Sequence, residues 1–401
     1  MRDLLFQLAL INGATLKRLR VIRGVSEDFL AAKVRISITQ LRGWEHGDPG
    51  DYPTINQAEA MANVLLCPLA GLYLEPNKLK ETRKPPISNK RIGYKPSYSD
   101  DSALNLAVED LLLRREDILE LAKKTGPEIL SCDLPYLESD IVEAAKRLRE
   151  WIDYPLSNQI SSASSRVLYK SLRSLLEERG ICVAQFSEPS VDEVRGISLY
   201  FEMLPIAAVN QSDRWPAKCF SLLHEMIHLC YRKSTTCSCI NAECDDAEEV
   251  YCNAVAGEFL FSRQTALHEI NNGLNPSDFH SFDVIANKYS ISRDVVARRV
   301  YDIGQMSRTD YEELLDLFRR EAIESSLREK AKAQESGRAM GYMPYEKKMV
   351  DFHGALYCAY VNRALSLGVY SEYEAASALG VKPDSLGSVF KLSLIHISEP
   401  T

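Results

Sequence analysis

Two histidines and a glutamate in the string His224-Glu225-Met226-Ile227-His228 have the residue types and spacing of a metal site. On an α-helix, residues four apart project from one face, so His224 and His228 could bind one Zn²⁺ at about 2.0–2.1 Å. Glu225 would lie about 60° from His228 around the helix axis. From there it could take a proton from a water molecule at the metal. We therefore predict two zinc ligands and a general base.

Two histidines need a third protein ligand, because catalytic zinc is held by three protein groups and keeps a fourth position for water. The next predicted helix offers Glu248 and Glu249. We favour Glu249, with Glu248 as the alternative. Asn253 follows Glu249 by four residues and shares its helix face, so it could hold a ligand imidazole through the free ring nitrogen.

The surrounding pattern supports a folded site. Phe220, Leu223 and Ile227 give the predicted helix 217–231 an apolar side, and a second helix is predicted over 247–261. Strand-like segments precede them at 181–186, 196–201 and 206–209. We interpret residues 161–270 as an α+β domain with a small sheet. The alternative is that the string arises by chance and its histidines only pack or face solvent.

Residues 1–77 predict an all-α module. Ser26 is expected to cap a helix through Lys33, Ser37 to cap a second through Trp44, and a further helix is expected over 55–66. Two short helices joined by a tight turn have the geometry of a helix-turn-helix. Its second helix would present Thr39, Gln40 and Arg42 to the major groove. Lys33 could contact a phosphate of the DNA backbone.

The charge of this module leaves another interpretation open. Residues 1–78 hold nine basic and eight acidic residues, a balance that gives little non-specific affinity for nucleic acid. The module could instead be a helical bundle that serves dimerisation or substrate docking.

The rest of the chain divides by composition. We expect a basic linker over 78–101, a helical connector over 102–160 and a helical C-terminal region over 271–391. Residues 392–401 resemble the translation of an adapter used in sequencing-library preparation, and His396 is excluded from the site for that reason.

Bulk composition narrows the class of protein. The net charge is −8, and no run of eighteen apolar residues predicts a membrane span. Ten cysteines without a signal peptide favour reduced thiols in a cytoplasm. Cys237, Cys239 and Cys244 fall between the two predicted site helices, where free loop thiols are favoured over a second metal site or a redox switch.

Two segments resemble known families. Residues 161–262 resemble the ImmA/IrrE metallopeptidases, on the strings Phe220-Ser-Leu-Leu-His-Glu-Met-Ile-His228 and Glu249-Val-Tyr-Cys-Asn-Ala-Val-Ala-Gly-Glu-Phe-Leu260. Residues 15–75 resemble the XRE family, on Leu16-Lys-Arg-Leu-Arg20 and Trp44-Glu45-His46-Gly47. The resemblance implies a zincin-like domain with Zn²⁺ on His224, His228 and Glu249, with Glu225 as base. The resemblance of residues 15–75 to the XRE family implies double-stranded DNA as a partner.

Together these features predict a multidomain regulatory zinc metalloendopeptidase. Its expected substrate is a repressor or an antitoxin-like protein, as the ImmA/IrrE resemblance implies, and a homodimer is a further expected assembly. One alternative is a transcription regulator whose metallopeptidase-like domain senses a ligand or metal without useful proteolysis. Another is an antitoxin that acts by direct binding. The intact Glu225 favours retained chemistry, because metal sensing needs only the ligands.

Overall fold

The computed structural model describes residues 7–48, 50–79, 81–82, 84–90, 100–126, 131–237, 246–336 and 343–394. The chain forms two compact units. Unit 1 comprises residues 1–84, 93–117 and 187–189, and unit 2 comprises residues 85–92, 118–186 and 190–401. Each has a buried apolar cluster of its own.

Unit 1 is helical in the part that the structure describes. Ser26 and Ser37 accept hydrogen bonds from Phe29 N and Gln40 N, so both predicted N-caps are confirmed. Residues Ser102 to Asp117 of a long helix, α5, also belong here. The helices are α1 (Gly13–Ile22), α2 (Glu27–Val34), α3 (Ile38–His46), α4 (Ile55–Val64) and α5 (Ser102–Thr125), with 3₁₀ turns at Leu69–Tyr73 and Pro76–Lys78.

Leucines from successive helices meet in the core of unit 1. Leu16, Leu30 and Leu41 are fully buried, one each on α1, α2 and α3. Arg20 and Glu45 form a buried ion pair with Nε and Oε1 2.6 Å apart, which joins α1 to α3. Arg35 connects α2 to α3 in the left-handed conformation, with φ 60° and ψ 47°, a geometry that glycine adopts more readily.

Unit 2 is built around a mixed five-stranded sheet in the order β1-β5-β3-β4-β2. The two outer pairs, β1 with β5 and β2 with β4, are parallel, and β3 is antiparallel to both β4 and β5. The strands are β1 (Ser88–Lys90), β2 (Cys182–Phe186), β3 (Gly196–Leu199), β4 (Ile206–Asn210) and β5 (Thr235–Cys237). The predicted α+β character with a small sheet is confirmed.

Helices cover this sheet and continue to the end of the described chain. Two of them, α9 and α10, pack against each other, and α9 lies on β3 and β4. The helices are α6 (Ile141–Ile152), α7 (Leu156–Ile160), α8 (Ser165–Glu178), α9 (Trp215–Cys230), α10 (Ala247–Leu260), α11 (Arg263–Asn271), α12 (Phe279–Tyr289), α13 (Arg293–Asp302), α14 (Arg308–Ser336), α15 (Tyr345–His353), α16 (Ala355–Ser366), α17 (Glu372–Ala378) and α18 (Leu386–Leu394), with a 3₁₀ turn at Pro383–Ser385.

The structure corrects the interpretation of 78–101 as a linker without regular structure. Residues 88–90 form β1 and pair in parallel with β5, Ser88 opposite Thr235. The polar segment Ser-Asn-Lys has no apolar alternation, so its pairing comes from backbone hydrogen bonds to a strand far along the chain. At the other end, α18 runs through Leu394, past the expected boundary at 391, and the rest of 392–401 lies outside the described residues.

Candidate metal centre

Helix α9 carries the first part of the site into the interior of unit 2. Every residue from Lys218 to Cys230 on it is buried, because α8, α10 and the sheet enclose the helix. His224, Glu225 and His228 are 2%, 1% and 0% exposed. Three ionisable side chains of one helix are thus buried, where each needs a hydrogen-bond partner or an opposite charge.

Helix α10 brings Glu249 against both histidines. Asp246 caps this helix by accepting from Glu248 N, and Glu249 lies in its first turn, fully buried. Glu249 Oε1 is 3.1 Å from His228 Nε2, and Glu249 Oε2 is 3.2 Å from His224 Nε2. The two Nε2 atoms are 3.1 Å apart. The structure therefore brings together the three residues that the sequence predicts as ligands.

These separations are close to those of a metal site. With metal–nitrogen and metal–oxygen bonds of about 2.0–2.2 Å, a tetrahedron has donor–donor edges of roughly 3.3–3.6 Å, slightly longer than the 3.1–3.2 Å between these atoms. His228 Nε2 can give at most one proton, yet it faces both His224 Nε2 and Glu249 Oε1. Glu249 Oε2 is buried and faces His224 Nε2 at 3.2 Å. A cation among these lone pairs would satisfy all of them.

Glu248, rather than Asn253, contacts the second nitrogen of His228. Glu248 Oε1 is 3.2 Å from His228 Nδ1, and its other oxygen bonds to Lys233 Nζ. Asn253 Oδ1 is buried without a hydrogen-bond partner among the described residues, so the support of an imidazole by Asn253 stays a prediction. The two glutamates contact different nitrogens of the His228 ring, Glu248 at Nδ1 and Glu249 at Nε2, because they occupy adjacent positions of α10.

The electrostatics keep both glutamates ionised. The hydrogen bond from His228 lowers the pKa of Glu248 to about 2, with a further contribution from Lys233. Burial would raise the pKa of Glu249, but hydrogen bonds with His224 and His228 outweigh it and lower that pKa to about 2. Burial lowers the pKa of His228, but hydrogen bonds with Cys237, Cys252 and the two glutamates outweigh it and raise that pKa, so the metal-free site holds its proton on the imidazole. A metal ion would take the place of that proton, because ligation requires a neutral histidine and an ionised carboxylate.

Glu225 faces the sheet beside this cluster. A Cβ at Gly196 on β3 would overlap Oε1 of Glu225, so the close approach requires glycine there. Thr235 Oγ1 donates to Glu225 Oε2 at 3.4 Å and lies 2.7 Å from Ser198 Oγ. Burial raises the pKa of Glu225 against the opposing effect of the two histidines. Gly196, Ser198 and Thr235 were not predicted as site residues, although glycine in a strand is a signal of close approach.

Cys237 lies at the same cluster, which corrects its interpretation as a loop thiol. It ends β5, is 2% exposed, and places Sγ 3.5 Å from His228 Nε2 and 3.9 Å from Glu249 Oε1. The candidate donor atoms of His224, His228, Cys237 and Glu249 all lie within 4.8 Å of one another. Strand β5 was not predicted, so nothing in the sequence placed this thiol there. Cys239 and Cys244 lie outside the described residues.

A small pocket opens beside the cluster. His224, Glu225 and Cys237 line it together with four further residues: Arg195, Gly196, Phe220 and Ser221. Its cavity volume is about 10 Å³, roughly the space of one water molecule. Pockets that enclose a ligand usually measure about 300–1,000 Å³, so this one does not accommodate a peptide in the conformation described.

The predicted DNA-contacting residues lie on α2 and α3 of unit 1, all exposed. Lys33 Nζ is 2.5 Å from Glu188 Oε1, and Arg42 pairs with Glu27 at 2.7 Å. Gln40 Oε1 accepts from Ser37 N in a capping box. Three of these four side chains thus have partners within unit 1, and Thr39 is exposed on α3.

Residues 180–301 match the family model described as Peptidase_M78, the IrrE N-terminal-like domain. The match contains α9, α10 and four of the five strands, and it spans less than a third of the chain. It supports the metallopeptidase part of the resemblance. No curated protein and no solved structure matches the chain.

Among the helices that the structure describes, none is both long enough and apolar enough to cross a lipid bilayer.

Proposed function

We propose that this chain is a DNA-associated regulatory zinc metalloendopeptidase that cleaves a repressor or an antitoxin-like protein. The observation that carries the proposal is the convergence of His224, His228 and Glu249 at 3.1–3.2 Å inside a segment that matches a metallopeptidase family. These three residues would hold the Zn²⁺. Nitrogen and carboxylate donors in this number are typical of catalytic zinc.

When bound, zinc supplies a Lewis acid that polarises a peptide carbonyl and makes water more acidic. Glu225 lines the same pocket as His224 and carries the proton chemistry. Its carboxylate would take a proton from the attacking water and deliver it to the departing amine. Thr235 and Gly196 hold the carboxylate in place, and Glu248 orients the His228 ring through Nδ1.

The test compares wild type with Glu225→Gln on candidate repressors encoded by neighbouring genes. Products are read by mass spectrometry, and zinc is measured in the same preparations. We expect wild type to produce a defined cleavage product, and the variant to bind zinc at the same stoichiometry and produce none. Glu143→Gln, on the exposed first turn of α6, is the matched control and should cleave as wild type does. Full cleavage by Glu225→Gln would disprove the mechanism.

The small pocket favours a second candidate, a regulator whose zinc domain senses a metal or ligand without useful proteolysis. A cavity of about 10 Å³ has room for a metal ion or one water molecule and none for a peptide, which favours metal sensing. Under this alternative, Glu225→Gln has no effect on regulation in cells, and operator binding responds to zinc removal by a chelator. A comparison of wild type with Glu225→Gln therefore distinguishes the two proposed functions.

For unit 1 we propose binding to double-stranded DNA through α3, with α2 across the backbone, in a homodimer. The exposed α3 and the left-handed turn at Arg35 between the two helices support this proposal. Arg42→Ala should weaken binding to the DNA upstream of the chain's own gene and reduce the slope of affinity against salt. Fluorescence anisotropy measures both, and sedimentation tests the dimer. Unchanged binding by a Thr39→Ala, Arg42→Ala double variant would refute this use of α3.

A further inference from the structure

Cys237 reaches the metal cluster from a fixed position in the sheet. It is the last residue of β5, which pairs with β3 on one side, Gly196 opposite Cys237, and with β1 on the other. Thr236 Oγ1 adds a 2.7 Å hydrogen bond to Asn89 on β1. An inner strand has little freedom to move its side chains, so the location of Sγ follows from the fold rather than from a loop conformation.

The distance from Sγ of Cys237 to His228 Nε2 matches that of a thiolate ligand. With a metal–sulfur bond of about 2.3 Å and a metal–nitrogen bond of about 2.0–2.1 Å, tetrahedral sulfur–nitrogen edges are roughly 3.5–3.6 Å. Sγ of Cys237 lies 3.5 Å from His228 Nε2 and 3.9 Å from Glu249 Oε1. Glu249 Oε2 lies 3.2 Å from His224 Nε2, so donors from four residues lie around one position.

A second buried cysteine lacks this geometry. Cys252 on α10 places Sγ 3.8 Å from His228 Nδ1, the nitrogen that already faces Glu248. It lies on the opposite side of the ring from Glu249 Oε1. Both thiols therefore lie near His228, but Cys237 lies on the Nε2 side of the ring, where Glu249 also contacts it.

We propose that the Cys237 thiolate is the fourth protein ligand of the ion held by His224, His228 and Glu249, and that the described structure is a closed, latent form of the site. The proposal rests on the zinc site of the proposed function. A catalytic zinc keeps one position open, whereas four protein donors fill a tetrahedral ion. Substrate can then reach the ion only after Sγ leaves it, in agreement with the small pocket that Cys237 lines.

The donor set also selects the ion. Two imidazoles, a carboxylate and a thiolate suit zinc and cobalt, and they disfavour magnesium and calcium, which prefer oxygen. Cobalt(II) is therefore the probe, because it reports a bound thiolate by a charge-transfer absorption in the near ultraviolet. That signal depends on the ligand and needs no substrate.

The experiment loads reduced, metal-free full-length protein with one equivalent of cobalt(II). We expect the thiolate band in wild type and in Cys252→Ala, and its loss in Cys237→Ala. We also expect Cys237→Ala to bind zinc at least about tenfold more weakly in competition with a chelator, because one ligand is missing. Cys237→Ser keeps the side-chain size and should also lose the band, so a folding defect in one variant does not decide the result.

The outcomes separate this inference from the proposed function. Stoichiometric cobalt with no thiolate band in wild type, or a band that survives in Cys237→Ala and Cys237→Ser, overturns the closed site and leaves the three-ligand site intact. Failure of wild type to bind either metal overturns both. X-ray absorption of the zinc form gives an independent check: one sulfur at about 2.3 Å is expected in wild type and none in Cys237→Ser.

Discussion

The position of a single glycine decides where the carboxylate of Glu225 can lie. Gly196 on β3 leaves the space that Glu225 Oε1, Cγ and Cδ occupy, and a methyl group there would overlap all three atoms. Glu225 is enclosed by α9 and the sheet, so it has little room to move aside. The backbone of β3 at Gly196 therefore sets the position of the carboxylate that we propose as the general base.

We predict that Gly196→Ala reduces peptide cleavage about 100-fold while zinc stays bound. The added Cβ displaces the carboxylate of Glu225 from its place beside Thr235, and a shift of about 1 Å in a catalytic group can reduce the rate about 100-fold. The measurement is cleavage of the substrate identified with wild type, with zinc content determined in parallel. His224, His228 and Glu249 keep their positions on other elements.

The control for this prediction is Gly387→Ala. A Cβ at Gly387 on α18 would meet no atom within 4 Å, so cleavage should not change. Wild-type cleavage by Gly196→Ala would mean that Glu225 works from another position. Loss of zinc in Gly196→Ala would mean that β3 supports the ligands as well as the base.

At the level of elements, α1 and α3 of unit 1 approach closely at one point. A Cβ at Gly13, the first residue of α1, would overlap the carbonyl oxygen of Trp44 on α3. The obstacle is backbone, which cannot rotate away as a side chain can. The ion pair between Arg20 on α1 and Glu45, the residue after Trp44 on α3, joins the same two helices, so their separation is fixed by two contacts.

We predict that Gly13→Ala lowers the local unfolding free energy of α1 and α3 by about 1–3 kcal/mol, the usual range for overpacking in a tight contact. Hydrogen exchange of the amides in α1 and α3, measured by mass spectrometry, is the readout. Gly71→Ala serves as control, because its Cβ would lie at an ordinary 3.6 Å from Cys67. Equal protection in Gly13→Ala and wild type would show that α1 can shift without cost.

At the scale of the molecule, unit 2 joins its C-terminal helices to the sheet through a buried charged contact. Glu177 on α8 accepts from Leu356 N at 3.2 Å at the start of α16, and Arg173 donates to the carbonyl oxygens of Val350 and Asp351 on α15. Gly354, with φ 88°, lets the chain pass against Val183 and Glu177. Helices far along the sequence are thereby held to the domain that carries the site.

Burial raises the pKa of Glu177 to about 7, although Arg173 and the Leu356 amide oppose the shift. The unfolded chain loses this proton near pH 4.5 and the folded protein near pH 7, so stability falls as the pH rises between these values. We predict that Glu177→Gln removes this loss. The unfolding free energy of wild type relative to the variant should fall by roughly 3 kcal/mol from pH 4.5 to pH 8.

Chemical denaturation across that pH range measures the difference, in which the titration of the metal ligands cancels. Glu178→Gln, at the exposed neighbouring position, is the matched control and should follow wild type at every pH. Parallel curves for wild type and Glu177→Gln would show that Glu177 is already ionised in the folded protein at low pH.

The sequence by itself predicted the ligands that share local geometry. His224, Glu225 and His228 lie within one helical turn, and the caps at Ser26 and Ser37 depend on residues three positions away. Such features are set by helix periodicity and short-range hydrogen bonds, which sequence spacing encodes directly. The small sheet and the α10 helix with Glu249 could also be anticipated, because their strands and caps have local signals.

Only the tertiary structure decided which residues meet the site from other elements. Cys237 and Thr235 arrive on β5, a three-residue strand that exists because β3 and β1 pair with it from distant parts of the chain. Glu248 contacts His228 Nδ1 because the rotation of α10 against α9 sets which side chain faces that nitrogen. Strand pairing and helix rotation are long-range packing results, so spacing along the sequence could not predict them.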